Sequence, residues 1–158
     1  MASLKFNDQH FCGASLIGPK HVLTAAHCFN TIGNHNKGNI TIVFGVSNIT
    51  NLNDPNRIEK KIKNILKHPK YLKGQIYYDV AVLEMVEEIA NFTPNVNPIC
   101  LSDEPDENVN AQVGKAVYLS GWGKKTLMGN CTASPRYSAV WSYRVNQPKP
   151  HYASHIYR

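Results

Sequence analysis

The apolar residues of this 158-residue chain come in short segments separated by Gly, Pro and Asn. That punctuation favours strands and tight turns over long helices. Candidate strands cover residues 11–17, 21–24, 40–44, 58–66, 79–85 and 115–120. Gly18-Pro19 makes the turn between the first two, because proline presets φ at a turn position. Residues 51–56 form a polar loop turning at Asn53-Asp54-Pro55-Asn56, and residues 94–98 and 102–110 read as connections. Regularly spaced strands of this kind predict an all-β barrel or sandwich. The apolar content of 42% and charged content of 18% fit one globular domain or slightly more. No stretch approaches the about 18 apolar residues of a membrane helix, which argues against a membrane partner. The first eight residues lack the apolar centre of a secretory signal, so read alone they predict no export.

The net charge of +6 raises the question of nucleic acid, and its distribution answers it. Residues 1–107 hold ten Lys/Arg and all eleven Asp/Glu, whereas residues 108–158 hold seven Lys/Arg and no acid. The body is near neutral and the excess belongs to the last third. Tyr137, Tyr143, Tyr152 and Tyr157 lie among those charges and could stack on bases, but no recognition motif accompanies them. The reading is therefore no nucleic-acid partner. A salt-dependent affinity lost on deleting residues 124–158 would be the sign of one.

One strand carries a cost. Asp79 opens the run Val80-Ala81-Val82-Leu83, whose near-continuous apolar character predicts burial on both sides. A carboxylate at such an entrance must be hydrogen-bonded to be tolerated. Asp79 therefore needs a partner. The most distinctive segment of the chain is Thr24-Ala25-Ala26-His27-Cys28, whose Cys28 lies sixteen residues after Cys12. The four cysteines allow three pairings, among which sequence alone does not choose. Asn-x-Ser/Thr sequons at Asn39, Asn48, Asn91 and Asn130 are candidate glycosylation sites, although Pro94 disfavours use of the third. No metal is assigned. His151 and His155 are spaced i, i+4 beside Pro150 with no third ligand, and the loop at 51–56 lacks the Gly and Glu of an EF-hand. No cofactor is expected.

Phe11-Cys12-Gly13-Ala14-Ser15-Leu16-Ile17, Val22-Leu23-Thr24-Ala25-Ala26-His27-Cys28, Tyr78-Asp79-Val80-Ala81-Val82-Leu83, Pro98-Ile99-Cys100-Leu101 and Ser120-Gly121-Trp122-Gly123 occur in that order. Together they resemble the trypsin/chymotrypsin-type serine endopeptidases of the S1 family. His68-Pro69-Lys70-Tyr71 is a softer match. The likeness runs from about Ser3 to Gly123. It implies a Greek-key β-barrel over residues 1–110 and the opening strand of a second barrel over 111–123. Residues 124–158 are then expected to be an irregular tail foreign to the preceding domain. The resemblance further implies His27 as general base, Asp79 as its orienting carboxylate and a Cys12–Cys28 disulfide. A Cys100–Cys131 bond has no support, and Cys100 matches a position that ties a propeptide or light chain. Protein or peptide substrates and an extracellular, secreted setting are implied in the same way.

Three departures shape the functional expectation. The chain starts downstream of the Ile-Val-Gly-Gly-like terminus of that family. No Gly-Asp-Ser-Gly-Gly segment occurs, and none of the nine serines has a nucleophile's context. The oxyanion hole and specificity pocket belong to a second barrel of which only the first strand is represented. The expectation is a serine-type endopeptidase (a hydrolase) present as an incomplete, truncated chain, inactive by itself. The alternative is a non-catalytic, protease-like binding or regulatory protein.

Overall fold

A computed structural model of the chain describes residues 1–32, 34–101, 116–123 and 136–142. The chain forms two compact units, Met1–Cys100 and Leu101–Arg158. Six strands of the first unit, β1 (Ala2–Phe6), β2 (Gln9–Leu16), β3 (His21–Thr24), β4 (Ile40–Phe44), β5 (Ile58–Lys67) and β6 (Ala81–Met85), close a barrel. The order is β1-β2-β3-β6-β5-β4, and β4 pairs back onto β1. Every pairing is antiparallel. The strand that follows the long β3–β4 connection lies beside β1, which is the Greek-key arrangement. That connection carries two short 3₁₀ turns, η1 (Ala26–Phe29) and η2 (Asn34–Asn39).

The strands expected from sequence match β2 to β6 closely, but β1 was not expected. Its sequence, Ala-Ser-Leu-Lys-Phe, alternates polar with apolar, and both polar side chains are nevertheless buried. Ser3 meets His10 Nδ1 at 2.8 Å, and Lys5 Nζ donates to the Ile49 carbonyl at 3.1 Å. A partner 44 residues away makes burial of the Lys5 ammonium tolerable. Asn7 and Asp8 join β1 to β2 with φ of 48° and 64°, so both central residues take the left-handed conformation of a type I′ hairpin. A second correction concerns β6. Ala81, Leu83 and Met85 are fully buried while Val82 and Glu84 are half-buried, so the strand has one core face rather than two.

The barrel interior is filled by side chains from every strand, among them Leu4, Leu16, Val22, Ile42, Ile62 and Leu83. All five residues of β4 are buried. Gly45 ends that strand at φ +79°, and a Cβ there would collide with the Asn56 carbonyl, so only glycine fits. The turn expected at 53–56 falls one residue later, over 54–57: Asp54 O accepts from Arg57 N at 3.0 Å, and Asp54 Oδ1 accepts from Asn56 N at 3.0 Å. Among the described residues, no buried side-chain nitrogen or oxygen lacks a hydrogen bond.

In the second unit, β7 (Ala116–Gly121) pairs antiparallel with β8 (Arg136–Ser142). The expected strand at 115–120 is thus present. The tail expected to be irregular contains a strand, β8, because an open ladder on β7 selects an extended partner whatever its local turn content. The first unit also ends ahead of the expected boundary at 110. Residues 102–110, Asn130, Cys131, His151 and His155 lie outside the described residues.

Candidate active site

The site begins where β3 stops. Ala25 is extended (φ −87°, ψ 143°), and the chain then tightens into η1, where the Asn30 N–H closes on the His27 carbonyl at 3.0 Å. Three tethers hold this turn. The first is a disulfide from Cys28 to Cys12 on β2, with Cα atoms 6.3 Å apart. The second is Asn30 Nδ2, which donates to the Tyr71 hydroxyl at 2.8 Å. The third is Lys67 Nζ, which donates to the Phe29 carbonyl at 3.1 Å. Thr24 Oγ1 adds a bond to the Gly13 carbonyl at 2.8 Å, fixing the end of β3 against β2. The turn is irregular, and distant parts of the chain make it rigid.

Asp79 reaches the same place from the other side. It sits just ahead of β6, after Tyr78, whose φ of +56° is rare for a bulky residue. The Val80 N–H returns to the Tyr78 carbonyl at 2.8 Å, wrapping a three-residue turn around Asp79. The Tyr78 ring stacks on His68 with centroids 4.8 Å apart, and Lys70 Nζ lies 5.6 Å from the Tyr78 ring centre. These contacts offset the cost of the left-handed backbone, typically about 1–3 kcal/mol for a residue held in a sparse region. The result aims the Asp79 carboxylate at His27.

Both carboxylate oxygens are used. Oδ1 accepts the backbone N–H of His27 at 2.8 Å, and Oδ2 meets Nδ1 at 2.6 Å. An ionised carboxylate only accepts, so Nδ1 carries the proton and Nε2 is the basic nitrogen. Nε2 lies 3.9 Å from Cys28 Sγ. The side chains of His27 and Asp79 are 27% and 24% exposed, shielded enough to keep the bond and open enough for the imidazole to exchange a proton. An imidazole in a fixed tautomer with a carboxylate behind it can take a proton from a hydroxyl and carry the resulting charge.

The structure brings together four residues singled out from sequence: His27, Asp79, Cys12 and Cys28. Asn39, Asn48 and Asn91 are exposed, and Cys100 is an exposed free thiol. Sequence reasoning missed Asn30, and took Tyr71 and Tyr78 only as parts of motifs. The left-handed backbone of Tyr78 gave no signal, since tyrosine does not advertise a positive φ. Cys12, His27 and Cys28 are the one group of three possible metal ligands among the described residues. Both sulfurs are spent in the disulfide and offer no thiolate. A cleft of about 350 Å³ borders Cys28, lined by Phe6, His10, Phe11, Thr31 and Ile32 among others. His10 there stays below its ordinary pKa because it is partly buried and near Lys5.

A closed antiparallel barrel with a carboxylate-backed histidine at its rim defines the serine-protease type of fold and site. The trypsin family matches residues 1–151, and the chain belongs to that family. The match extends past Gly123, where the sequence motifs fade. Human transmembrane protease serine 11B is 32% identical over 129 residues, which cover 82% of this chain and 28% of that protein. Atrial natriuretic peptide-converting enzyme of mouse is 37% identical over 123 residues, covering 77% of this chain and 10% of the enzyme. The rat enzyme matches equally. The chain thus spans less than a third of the length of these relatives. Among the described residues, no helix is long and apolar enough to cross a membrane.

Proposed function

We propose that this chain supplies the general base and the orienting carboxylate of a serine endopeptidase acting on protein or peptide substrates. His27 Nε2 takes the proton of a serine hydroxyl that is not among these 158 residues and returns it to the leaving amine. Asp79 keeps Nδ1 protonated and stabilises the imidazolium. The observation that carries this reading is the double engagement of Asp79, through Nδ1 at 2.6 Å and the backbone N–H at 2.8 Å. By itself the 158-residue polypeptide is then inactive, since its sequence holds no Gly-Asp-Ser-Gly-Gly segment to supply the family's nucleophile. The disulfide, the exposed sequons and the kinship support an extracellular setting, with glycosylation at Asn39 and Asn48 foremost. Cys100, flanked by exposed Ile99 and Leu101, suits a tether to a propeptide or light chain.

Two measurements test this. Proton NMR of the 158-residue chain should show a strongly deshielded His27 Nδ1 proton that disappears in Asp79→Asn. Peptide amides presenting Arg, Phe or Ala should go uncleaved by the same chain. Turnover that His27→Ala abolishes would overturn the absent nucleophile, and an ordinary Nδ1 proton would overturn the pairing.

The second reading, a non-catalytic binding protein, draws on one observation. Leu72, Ile76 and Tyr77 are 59%, 75% and 61% exposed in the loop leading to Asp79, an apolar surface fit for a protein partner. Partner binding that survives His27→Ala and Asp79→Asn together would favour it.

A further inference from the structure

His68 directly follows β5, and its contacts reach both halves of the His27–Asp79 pair. Its N–H donates to the Val80 carbonyl at 2.9 Å, one residue after Asp79. Its carbonyl accepts the Tyr71 N–H at 2.9 Å, and the Tyr71 hydroxyl holds Asn30 beside the turn carrying His27. Its ring lies nearly parallel to that of Tyr78, one residue before Asp79, with 13° between the planes. Rotation of that ring is restrained in turn, because Nδ1 accepts the Lys70 N–H at 3.1 Å. One residue thus grips the chain on either side of the carboxylate, with its backbone behind and its ring ahead.

The ring contact is the one that bears on direction. Asp79 is the centre of a three-residue turn, and the path into that turn is set by the φ of Tyr78, +56°. The bond closing the turn, from the Val80 N–H to the Tyr78 carbonyl, lies beyond that torsion and does not fix it. A bulky residue stays in the left-handed region only where its surroundings over-determine it. Tyr78 is 49% exposed, so half of its surface has no packing to hold it. Lys70 Nζ approaches the ring centre at 5.6 Å, but an exposed ammonium on a four-carbon stem is a soft restraint. The His68 ring is a stiff one, since its backbone is bonded at both N–H and C=O and its ring at Nδ1.

We propose that His68 is a positioning residue for the Asp79 carboxylate, acting through the left-handed backbone of Tyr78. The role rests on the reading of Asp79 as the carboxylate that orients His27. His68 itself touches neither the substrate nor the proton that moves.

The test reads the 158-residue chain by NMR, in the deshielded Nδ1 proton of His27 and in the exchange of its backbone N–H. Both protons point at Asp79. His68→Ala should weaken the Nδ1 signal and speed exchange of the His27 amide by about fivefold or more, as a strained backbone is let go. His68→Phe keeps a flat ring for Tyr78 and should behave like the unaltered chain. Tyr78→Asn accepts the left-handed backbone without a stacked ring, so adding His68→Ala to it should change nothing further. Amides of the β1–β4 ladder should keep their protection in every variant, which verifies the fold. Unchanged His27 signals in His68→Ala would overturn the inference while leaving the His27–Asp79 pairing intact. So would a His68→Phe chain as loose as His68→Ala, or equal loosening of the β1–β4 ladder. So would an undiminished effect of His68→Ala on top of Tyr78→Asn. An ordinary Nδ1 proton in the unaltered chain would instead overturn the pairing, and this role with it.

Discussion

The wall formed by β1 and β4 and the corner holding His27 and Asp79 are built on opposite plans. In the wall, Ala2, Leu4, Ile40 and Ile42 have no exposed surface, and regular ladders satisfy the backbone. In the corner the backbone is a 3₁₀ turn and a left-handed residue, and both key side chains are about a quarter exposed. Burial of apolar area holds the wall. Individually placed bonds (a disulfide, a tyrosine hydroxyl, a lysine ammonium) hold the corner. Proton transfer needs polar groups in fixed positions but within reach of substrate, and a closed ladder provides no such place. The barrel supplies the rigidity, and the irregular segments at its rim use it.

Substitutions should separate the two plans. In a protein that also carries the nucleophile, His27→Ala should lower kcat by on the order of 10⁶. The same change should move the urea unfolding midpoint little, because the imidazole is not part of the core. A stability loss rivalling that of a core truncation would mean the corner is structural after all.

Ile42→Ala is the converse. It should destabilise by about 2–5 kcal/mol in denaturant titration, while the Nδ1 proton signal of the folded fraction persists. Replacing Cys12 and Cys28 together by serine should cost about 3 kcal/mol for a loop of this length. That change should also broaden the Nδ1 signal, since the disulfide anchors the turn carrying His27.

Tyr71→Phe deletes only the bond from Asn30, and should cost about 0.5–1.5 kcal/mol. If the corner is held bond by bond, faster amide exchange should be confined to residues 26–30.

The smallest effect is a pH dependence on the outer face of β6. Hydrogen bonds from Lys63 and then Asn64, with the charges of Lys63 and Lys20, hold the Glu84 carboxyl down to about 2 from an ordinary 4.5. The unfolded chain therefore takes up a proton near pH 4.5 while the folded chain resists until about pH 2. Stabilisation from Glu84 is complete above pH 4.5 and is lost as pH falls through that window. The stability difference between the unaltered chain and Glu84→Gln should shrink over the same range. A difference that is flat with pH would remove Glu84 from the account.

Strands β2 to β6 could be read along the chain because their apolar spacing and their Gly, Pro and Asn boundaries are local properties. The demand that Asp79 find a partner could be read too, since a carboxylate at the mouth of an apolar strand is costly without one. His27 lies 52 residues away and meets it. The resemblance, rather than spacing, gave Cys12 to Cys28. Strand β1 was illegible because Ser3 and Lys5 look like solvent-facing residues until His10 and Ile49 are folded against them. Strand β8 was illegible for the related reason that its extended form comes from the ladder on β7. The backbone of Tyr78 was hidden because the rings and charges that hold it, His68 and Lys70, act only after the turn has formed.

By itself, then, the sequence determined the alternation, the turn positions and which polar groups would need company. Only the closed barrel decided which polar groups are buried, which residue bears the strained backbone and how the carboxylate meets the ring. The physical reason is range. Propensity and periodicity act over a few residues, whereas the partner that makes a buried charge or a left-handed tyrosine tolerable arrives from elsewhere in the chain.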